Sequence, residues 1–378
     1  MSQSTNGLEL LESAFNTLED PRSSHGKIHS LDTILMVSII SIICGADDWV
    51  EVEEFGNSKK DFFQEVLGVA HRGIPSHDTF GRVFSLIETE AFEKCFAKWV
   101  TQLCELSEEI INIDGKTIRR SKDVDNSATH MVSAWANKNR LVLGQVRTAD
   151  KSNEITAIPE LLKLLSIEGQ IITIDAMGTQ TAIATQIIES QGDYVLSVKE
   201  NQGTLHEQLS ESFYKVGAKV NAQKSQSLDL DHGRIETRTC YAISVDDYLT
   251  KDVIDKWKNL KSMILVQSHI EYKNGKKAGQ IMEEDRLYIS SLDANAERSN
   301  KIIRSHWGIE TSLHWVLDVA FREDDNRSRI GNSAANLAIL RHVALNKLRS
   351  EKSAKVGVKA KRKKAGWDKS YLIKILRA

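Results

Sequence analysis

The hydrophobic pattern changes period near residue 109, and that change divides the chain. Before it, apolar positions recur every three to four residues, the spacing of helices with one buried face. "SLDTILMVSIISIICGA" predicts a helix capped by Ser30 and closed near Gly45. "DWVEVEEFGNSKKDFFQEVLG", residues 48–68, alternates acidic and apolar positions at the same period. In "GIPSHDTFGRVFSLI" a proline turn precedes Asp78, the expected cap of an amphipathic helix. "EAFEKCFAKWVTQLCEL" sets Phe92, Cys95, Phe96, Trp99 and Leu103 on one face. Residues 1–105 are therefore expected to form an all-helical N-terminal domain.

After Glu109 the apolar runs shorten to strand length. "IINI", "HMVSAWA" and "RLVLGQVRTA" predict three strands, the second and third joined by the hairpin turn "NKN". "NEITAIPELLKLLSI" predicts a helix, "QIITID" a strand and "TQTAIATQIIESQG" a helix closed by Gly192. "DYVLSVK" and "QGTLHEQLSESFYKV" add one more strand and helix. The order is three strands, then helix and strand in alternation, which makes the fold class α/β. Residues 216–293 read as a β-rich insertion carrying "GRIETRTCYAISV", "SMILVQSHIEY" and "EEDRLYISSL". Helical spacing returns in 294–350, with one long helix over 298–321 and another over 332–350. The second presents Leu337, Leu340, Val343, Ala344 and Leu348 on its apolar face. Residues 106–215 and 294–350 form the expected core, and 351–378 a basic tail.

Composition changes this picture little, except in its charge. With 378 residues, 41% of them hydrophobic, the chain can build a sizeable core. Net charge is −2, yet from Arg341 to Ala378 thirteen Lys and Arg face only Glu351 and Asp368. That asymmetry points to a polyanionic partner, and a solubilising, frayed terminus is its plainer alternative. Cys44, Cys95, Cys104 and Cys240 form no CxxC pair, which argues for a reducing compartment and against structural zinc; Cys44 reads as a core thiol. The apolar run 31–46 is too short to span a bilayer and contains Asp32. The first residues lack a basic signal-peptide region, so a cytoplasmic location with no membrane partner is expected.

Two strands run straight into aspartates. "IINIDG" ends in Asp114 and "IITIDA" in Asp175. Hairpin order places the first strand centrally, and a helical crossover brings the fourth strand in parallel beside it. The two carboxylates then end adjacent strands, where their repulsion calls for a proton or a cation. A hard divalent ion, Mg2+ or Mn2+, suits oxygen donors. A two-metal site needs a third acid, and Glu310 is the leading candidate. Asp318 is its rival, and the acids 323–325 are weaker candidates. His306, Glu310 and His314 recur every four residues, which places them on one helix face. The histidines are candidates for ligating metal, touching phosphate or packing. "GKT" at 115–117 is no phosphate loop, because position 110 is isoleucine where that motif needs glycine.

The motifs "DGKTIRRS", "KSNEITAIPELL", "IITIDAMGTQ", "VKENQGTL", "HGRIETR" and "HWGIETSLHWVLDVAFRED" resemble those of the H-repeat-associated transposases of bacterial insertion sequences. "DPRSSHGKIHSL", "GADDWVEVEEFG" and "GIPSHDTFGRVFS" are similar to the N-terminal region of that group. The resemblance covers about residues 15–375, and the order and spacing of the motifs make it specific. It implies a ribonuclease H-like core, a mixed sheet with helices on both sides. Its Asp-Asp-Glu triad would be Asp114, Asp175 and Glu310, and the 135 positions between the last two are similar to relatives with a β-rich insertion. It implies Mg2+, with Mn2+ possible, two ions per site, and DNA cleavage followed by strand transfer. Related transposases surround the glutamate with a Tyr, Arg and Lys signature; those positions here hold Ile303, His306 and Leu317.

Lys116, Arg119, Arg120, Lys199 and Gln202 follow the carboxylate strands and are candidates to hold DNA phosphates, as are His306 and His314. Lys361, Arg362, Lys363 and Lys364 would add salt-sensitive affinity from the tail. The expected partner is double-stranded DNA, at terminal inverted repeats and targets in the nucleoid, bound by a homo-oligomer with the helical domain contacting the ends. The alternatives are a nuclease of the same fold without strand joining, an inactive DNA-binding remnant, and a hydrolase of small phosphorylated substrates.

Overall fold

The computed structural model describes residues 7–23, 27–103, 109–121, 128–148, 154–231 and 233–378. It is a mixed α/β chain with a nine-stranded mixed sheet. It divides into two compact units, the first comprising 1–105, 115–166 and 310–378 and the second 106–114 and 167–309. Cys104 lies outside the described residues.

The first unit opens with five helices, α1 (Gly7–Phe15), α2 (Leu31–Ile43), α3 (Trp49–Ser58), α4 (His77–Leu86) and α5 (Thr89–Leu103). Ser30 caps α2 as expected, its hydroxyl accepting from the Thr33 N–H at 3.1 Å. The cap of α4 is Ser76 rather than Asp78, because only Ser76 stands in extended backbone before the first turn; Asp78 lies inside that turn. The helix expected over 48–68 ends at Ser58 and continues through a π turn, Phe62–Val66. Cys44 is buried, and burial pushes its thiol up to about 12. No helix among the described residues is long and apolar enough to cross a membrane.

Strand β1 (Ile110–Thr117) is shared between the two units. In the first unit β2 (His130–Ala136) and β3 (Leu141–Thr148) form the expected hairpin, with a bulge between Ala134 and Trp135. Helix α6 (Glu154–Leu164) packs on that hairpin.

The second unit continues with β4 (Ile171–Ile174), α7 (Thr181–Glu189), β5 (Asp193–Val198), α8 (Gly203–Tyr214) and α9 (Ala218–Asn221). The insertion adds β6 (Gln223–Asp231), β7 (Arg234–Ser244), α10 (Lys251–Lys256), β8 (Ser262–Tyr272) and β9 (Ile281–Ser290). Its strand order is β1-β4-β5-β9-β8-β7-β6. β1, β4 and β5 are mutually parallel, and β9 turns antiparallel against β5. β6 has no apolar run to announce it; it is an edge strand with Leu228 and Leu230 exposed. Helix α11 (Ala296–Ile309) lies on this sheet, where Ala296, Ile302 and Ile303 join Val195, Cys240, Ile264 and Val266 in one core.

The chain then returns to the first unit through a π turn, Glu310–His314, and α12 (Trp315–Phe321). The helix expected over 298–321 is thus three segments. α13 (Ser333–Ser350) is buried on nearly every side, not on the one apolar face expected. Its polar residues are therefore pinned to backbone groups. Asn336 donates to the carbonyls of Phe84 and Ile87 at 2.8 Å. Asn346 accepts from the Val142 N–H at 2.9 Å and donates to the Val142 carbonyl at 2.8 Å, acting as a strand partner for β3.

The C-terminal stretch is two packed helices, α14 (Val358–Trp367) and α15 (Lys369–Arg377), with Tyr371, Leu372, Ile375 and Leu376 buried. Asn346→Ala would strand two buried backbone groups of Val142. The expected loss is about 2–4 kcal/mol of stability, read as a lower urea midpoint; a wild-type midpoint would contradict the pinning role.

Candidate active site

The site begins with the register of two strands. In the parallel β1–β4 pair Asn112 stands opposite Thr173 and Ile113 opposite Ile174. Asp114 and Asp175 are the next residue on each strand. Neighbouring strands lie about 4.8 Å apart, so the two aspartates stand at one level on adjacent strands; β4 ends just before Asp175 as the sequence predicts, whereas β1 runs on past Asp114 to Thr117. Asp175 Oδ1 accepts from the backbone N–H groups of Met177 and Gly178 at 3.1 and 3.2 Å, which fixes the carboxylate. Asn201 donates to the Ala176 carbonyl at 2.7 Å and Gln202 to the Thr179 carbonyl at 2.5 Å. These bonds brace the loop that follows Asp175.

Two residues before each aspartate stands a polar side chain that sequence reasoning passed over. Asn112 Nδ2 donates to the Ser305 carbonyl at 2.8 Å, and Thr173 Oγ1 donates to Asn112 Oδ1 at 2.8 Å. His306 Nδ1 lies 2.7 Å from Thr173 Oγ1. The threonine hydroxyl has one hydrogen, already given to Asn112, so Nδ1 carries the proton and Nε2 the lone pair. Burial lowers the His306 pKa to about 4, helped by Arg286 and opposed by Asp175, so the ring is neutral near pH 7. Asn112 and Thr173 thus point toward α11, and residues two apart on a strand share a face. The signal was present in the sequence as the same offset, Asn or Thr two places before Asp, within both isoleucine runs.

Glu310 is the first residue past α11, four positions after His306, and it is exposed. Single π turns of this kind often mark functional positions. The π turn also shifts the helical phase, so His314 is not one α-turn beyond Glu310. Burial lowers the His314 pKa to about 4, with Lys116, Glu323, His342 and His130 as its charged surroundings.

The rival acids Asp318 and Glu323 pair with Lys116 within the first unit. Lys116 Nζ bonds to Asp318 and lies 2.7 Å from Glu323. Burial opposes the Lys116 charge, yet Glu323 and Asp318 raise its pKa. Burial would likewise raise Glu323, but Lys116 and Arg341 hold it down at about 2. Lys116 is 12% exposed and tied to acids, so it is not the open phosphate contact expected. Arg119 and Arg120 are exposed and paired at 3.3 and 3.2 Å with Asp324 and Asp325.

Two cations of the basic tail, Lys361 and Arg362, are spent inside the fold. Lys361 Nζ donates to the carbonyls of Leu348 and Glu351, and Arg362 donates to those of Ile42, Ala46 and Ala320 and to Asp47. Both side chains are buried, which removes them as DNA contacts. Lys363 and Lys364 are exposed, Lys364 over the Tyr371 ring at 4.3 Å, and Lys199 is exposed. Among the described residues no three His, Cys, Asp or Glu side chains are grouped to hold a metal ion. The donor set supplied by the second unit is the aspartate pair, whose oxygens suit a hard divalent cation.

A family model for the transposase DDE domain matches residues 105–347, and the model for its associated region (DDE_Tnp_1-associated) matches 12–100. The chain belongs to the DDE transposase family. Similar curated proteins include "Putative transposase YncI" of Escherichia coli O157:H7, 44% identical over 93% of this chain and 90% of its own length. "H repeat-associated putative transposase YhhI" of Escherichia coli K12 is 39% identical over 98% of both chains. A solved synaptic complex of piggyBac transposase with hairpin DNA aligns with 98% of this transposase and 78% of that chain, at 13% identity and a TM-score of 0.46.

Burial holds the pKa of His342 near 4, as it does those of His306 and His314, against about 6.5 in an unfolded chain. As pH falls below 6.5 the unfolded state takes up protons that the folded state refuses, so stability declines until about pH 4. The urea midpoint of the transposase is therefore expected to drop between pH 7 and 5, and His342→Gln to flatten that drop. Equal pH dependence in wild type and variant would contradict the assignment.

Proposed function

We propose that this chain is an insertion-sequence transposase that cleaves DNA strands and joins them by divalent-metal-dependent phosphoryl transfer on a ribonuclease H-like core. The observation that supports the proposal is that Asp114 in β1 and Asp175 just past β4 each follow the paired residues Ile113 and Ile174, and so stand at one level. Asp114, Asp175 and Glu310 are the residues that would hold Mg2+, or Mn2+ in its place, with two ions per site. Ions held there supply neutralising charge at the phosphodiester and activate water as a nucleophile.

The protein's own residues do the positioning. The Met177 and Gly178 N–H groups orient Asp175. His306, neutral and locked by Thr173, fixes the last turn of α11 and adds no competing positive charge beside the aspartates. One site serves both steps, because only the nucleophile changes, from water to a DNA 3′-hydroxyl. Arg119, Arg120, Lys199, Lys363 and Lys364 are the exposed cations retained as phosphate contacts. The helical N-terminal domain contacts the element ends, and the chain acts on nucleoid DNA as a homo-oligomer.

Asp114→Asn, Asp175→Asn and Glu310→Gln are each expected to lower Mg2+-dependent cleavage of a duplex carrying the element ends by roughly 10²–10³ or more, with duplex binding retained. Wild-type cleavage in any one removes that residue from the site. Cleaved but never joined products reduce the activity to that of a nuclease.

A further inference from the structure

The first unit contains a cleft of about 1000 Å³ that the chemistry above does not use. Its walls are the start of α3, α4, and the loop 322–333 that follows α12. Acids and arginines both line it, and the difference lies in which are already committed. Asp47 accepts from Arg362 at 2.8 Å. Asp48 and Glu51 accept from backbone N–H groups at the α3 N-terminus, at 2.9 and 2.6 Å. Asp325 is held by Arg120 and Arg322, and Asp78 lies 3.5 Å from His77.

Asp48 and Asp78 keep exposed carboxylates on the α3 and α4 side, and the remaining unpaired groups are donors. Arg82 on α4 and Arg327 on the loop are exposed and have no acid partner among the described residues. Arg329 gives only Nε, to the Arg120 carbonyl at 3.0 Å, and keeps both terminal amino groups. Trp49, stacked on Phe84 with ring centroids 4.7 Å apart, has an indole N–H with no partner. Donors on opposite walls call for an acceptor-rich, anionic ligand. At the loop rim Ile330 is 77% exposed beside Arg329, the pairing of apolar wedge and cation that suits a nucleic-acid groove. A cleft of this volume exceeds what one phosphate fills.

We infer that this cleft is a second DNA site, gripping the backbone of duplex DNA through Arg82, Arg327 and Arg329. The inference rests on the transposase activity proposed above and adds where that DNA is held away from the carboxylates. The test measures anisotropy of a labelled 40-base-pair duplex across a salt series, with Asp114→Asn protein so that no cleavage interferes. Replacing Arg82 and Arg327 by Ala is expected to weaken binding roughly tenfold and to lower the slope of log K against log salt by about two. The double Lys variant, which keeps the charges, is expected to retain the slope, which separates charge from folding. An unchanged slope in the Ala variant, loss of slope in the Lys variant, or no duplex binding by the parent protein overturns the inference. So does an effect confined to polyglutamate, which would assign the cleft to an acidic protein partner. Duplex binding that is indifferent to the arginine substitutions overturns this site alone, whereas absence of duplex binding by the parent protein overturns the proposed function with it.

Discussion

The parallel pairing of β1 with β4 is the constraint from which the rest of the site follows. Side chains alternate along a strand, so a one-residue slip would move each aspartate to the opposite level and face. The pairing of Ile111 with Ile172 and of Ile113 with Ile174 buries four isoleucines at matched depth and so fixes that register. Asn112 and Thr173, opposite each other between these pairs, are then brought under the last turn of α11. One hydroxyl decides the rest: Thr173 can donate only once, so the His306 tautomer follows from the Asn112 amide. A buried polar network of this kind is costly if incomplete and specific when complete.

The first unit solves a different problem, the burial of many charges. Glu323 and Arg341 lie inside it with almost no solvent exposure, and Lys116 is largely covered beside them. Such groups gain little net stability over apolar ones, but removing one partner leaves an uncompensated buried charge. α13 makes this arrangement possible, because its polar residues reach backbone groups on several sides. Arg362 extends the same logic to α14, joining Ile42, Ala46, Asp47 and Ala320 through one guanidinium. Arg341, Lys347, Lys361 and Arg362 are therefore structural, while Lys352, Lys355, Lys359, Lys363, Lys364, Lys369, Lys374 and Arg377 remain exposed.

Much of the fold and half of the site were legible in the sequence, for physical reasons. The repeated run of isoleucines leading into Asp states strand and level together, and Ser30 before an apolar run states a cap. β6 was not legible, because an edge strand with one solvated face needs no apolar period. The π turns at Phe62 and Glu310 were hidden, since their side-chain pattern matches that of an α-helix. Burial of Lys116, Lys361 and Arg362 was hidden for another reason: a charge is read locally, but its partners come from residues as distant as Asp318, Leu348 and Ile42. Asn112 and Thr173 sit at matched positions between isoleucines, but the helix backbone and histidine they bond to lie more than 130 positions away in the chain.

The account stands on two carboxylates at one level sharing a divalent ion. Titration of the metal-free protein with Mn2+, followed by the loss of free-ion electron paramagnetic resonance signal, addresses this without DNA or turnover. Saturable binding that is weakened at least about tenfold by Asp114→Asn and by Asp175→Asn, as expected for loss of a ligating carboxylate, is the predicted result. Mn2+ binding that survives both substitutions unchanged would contradict it.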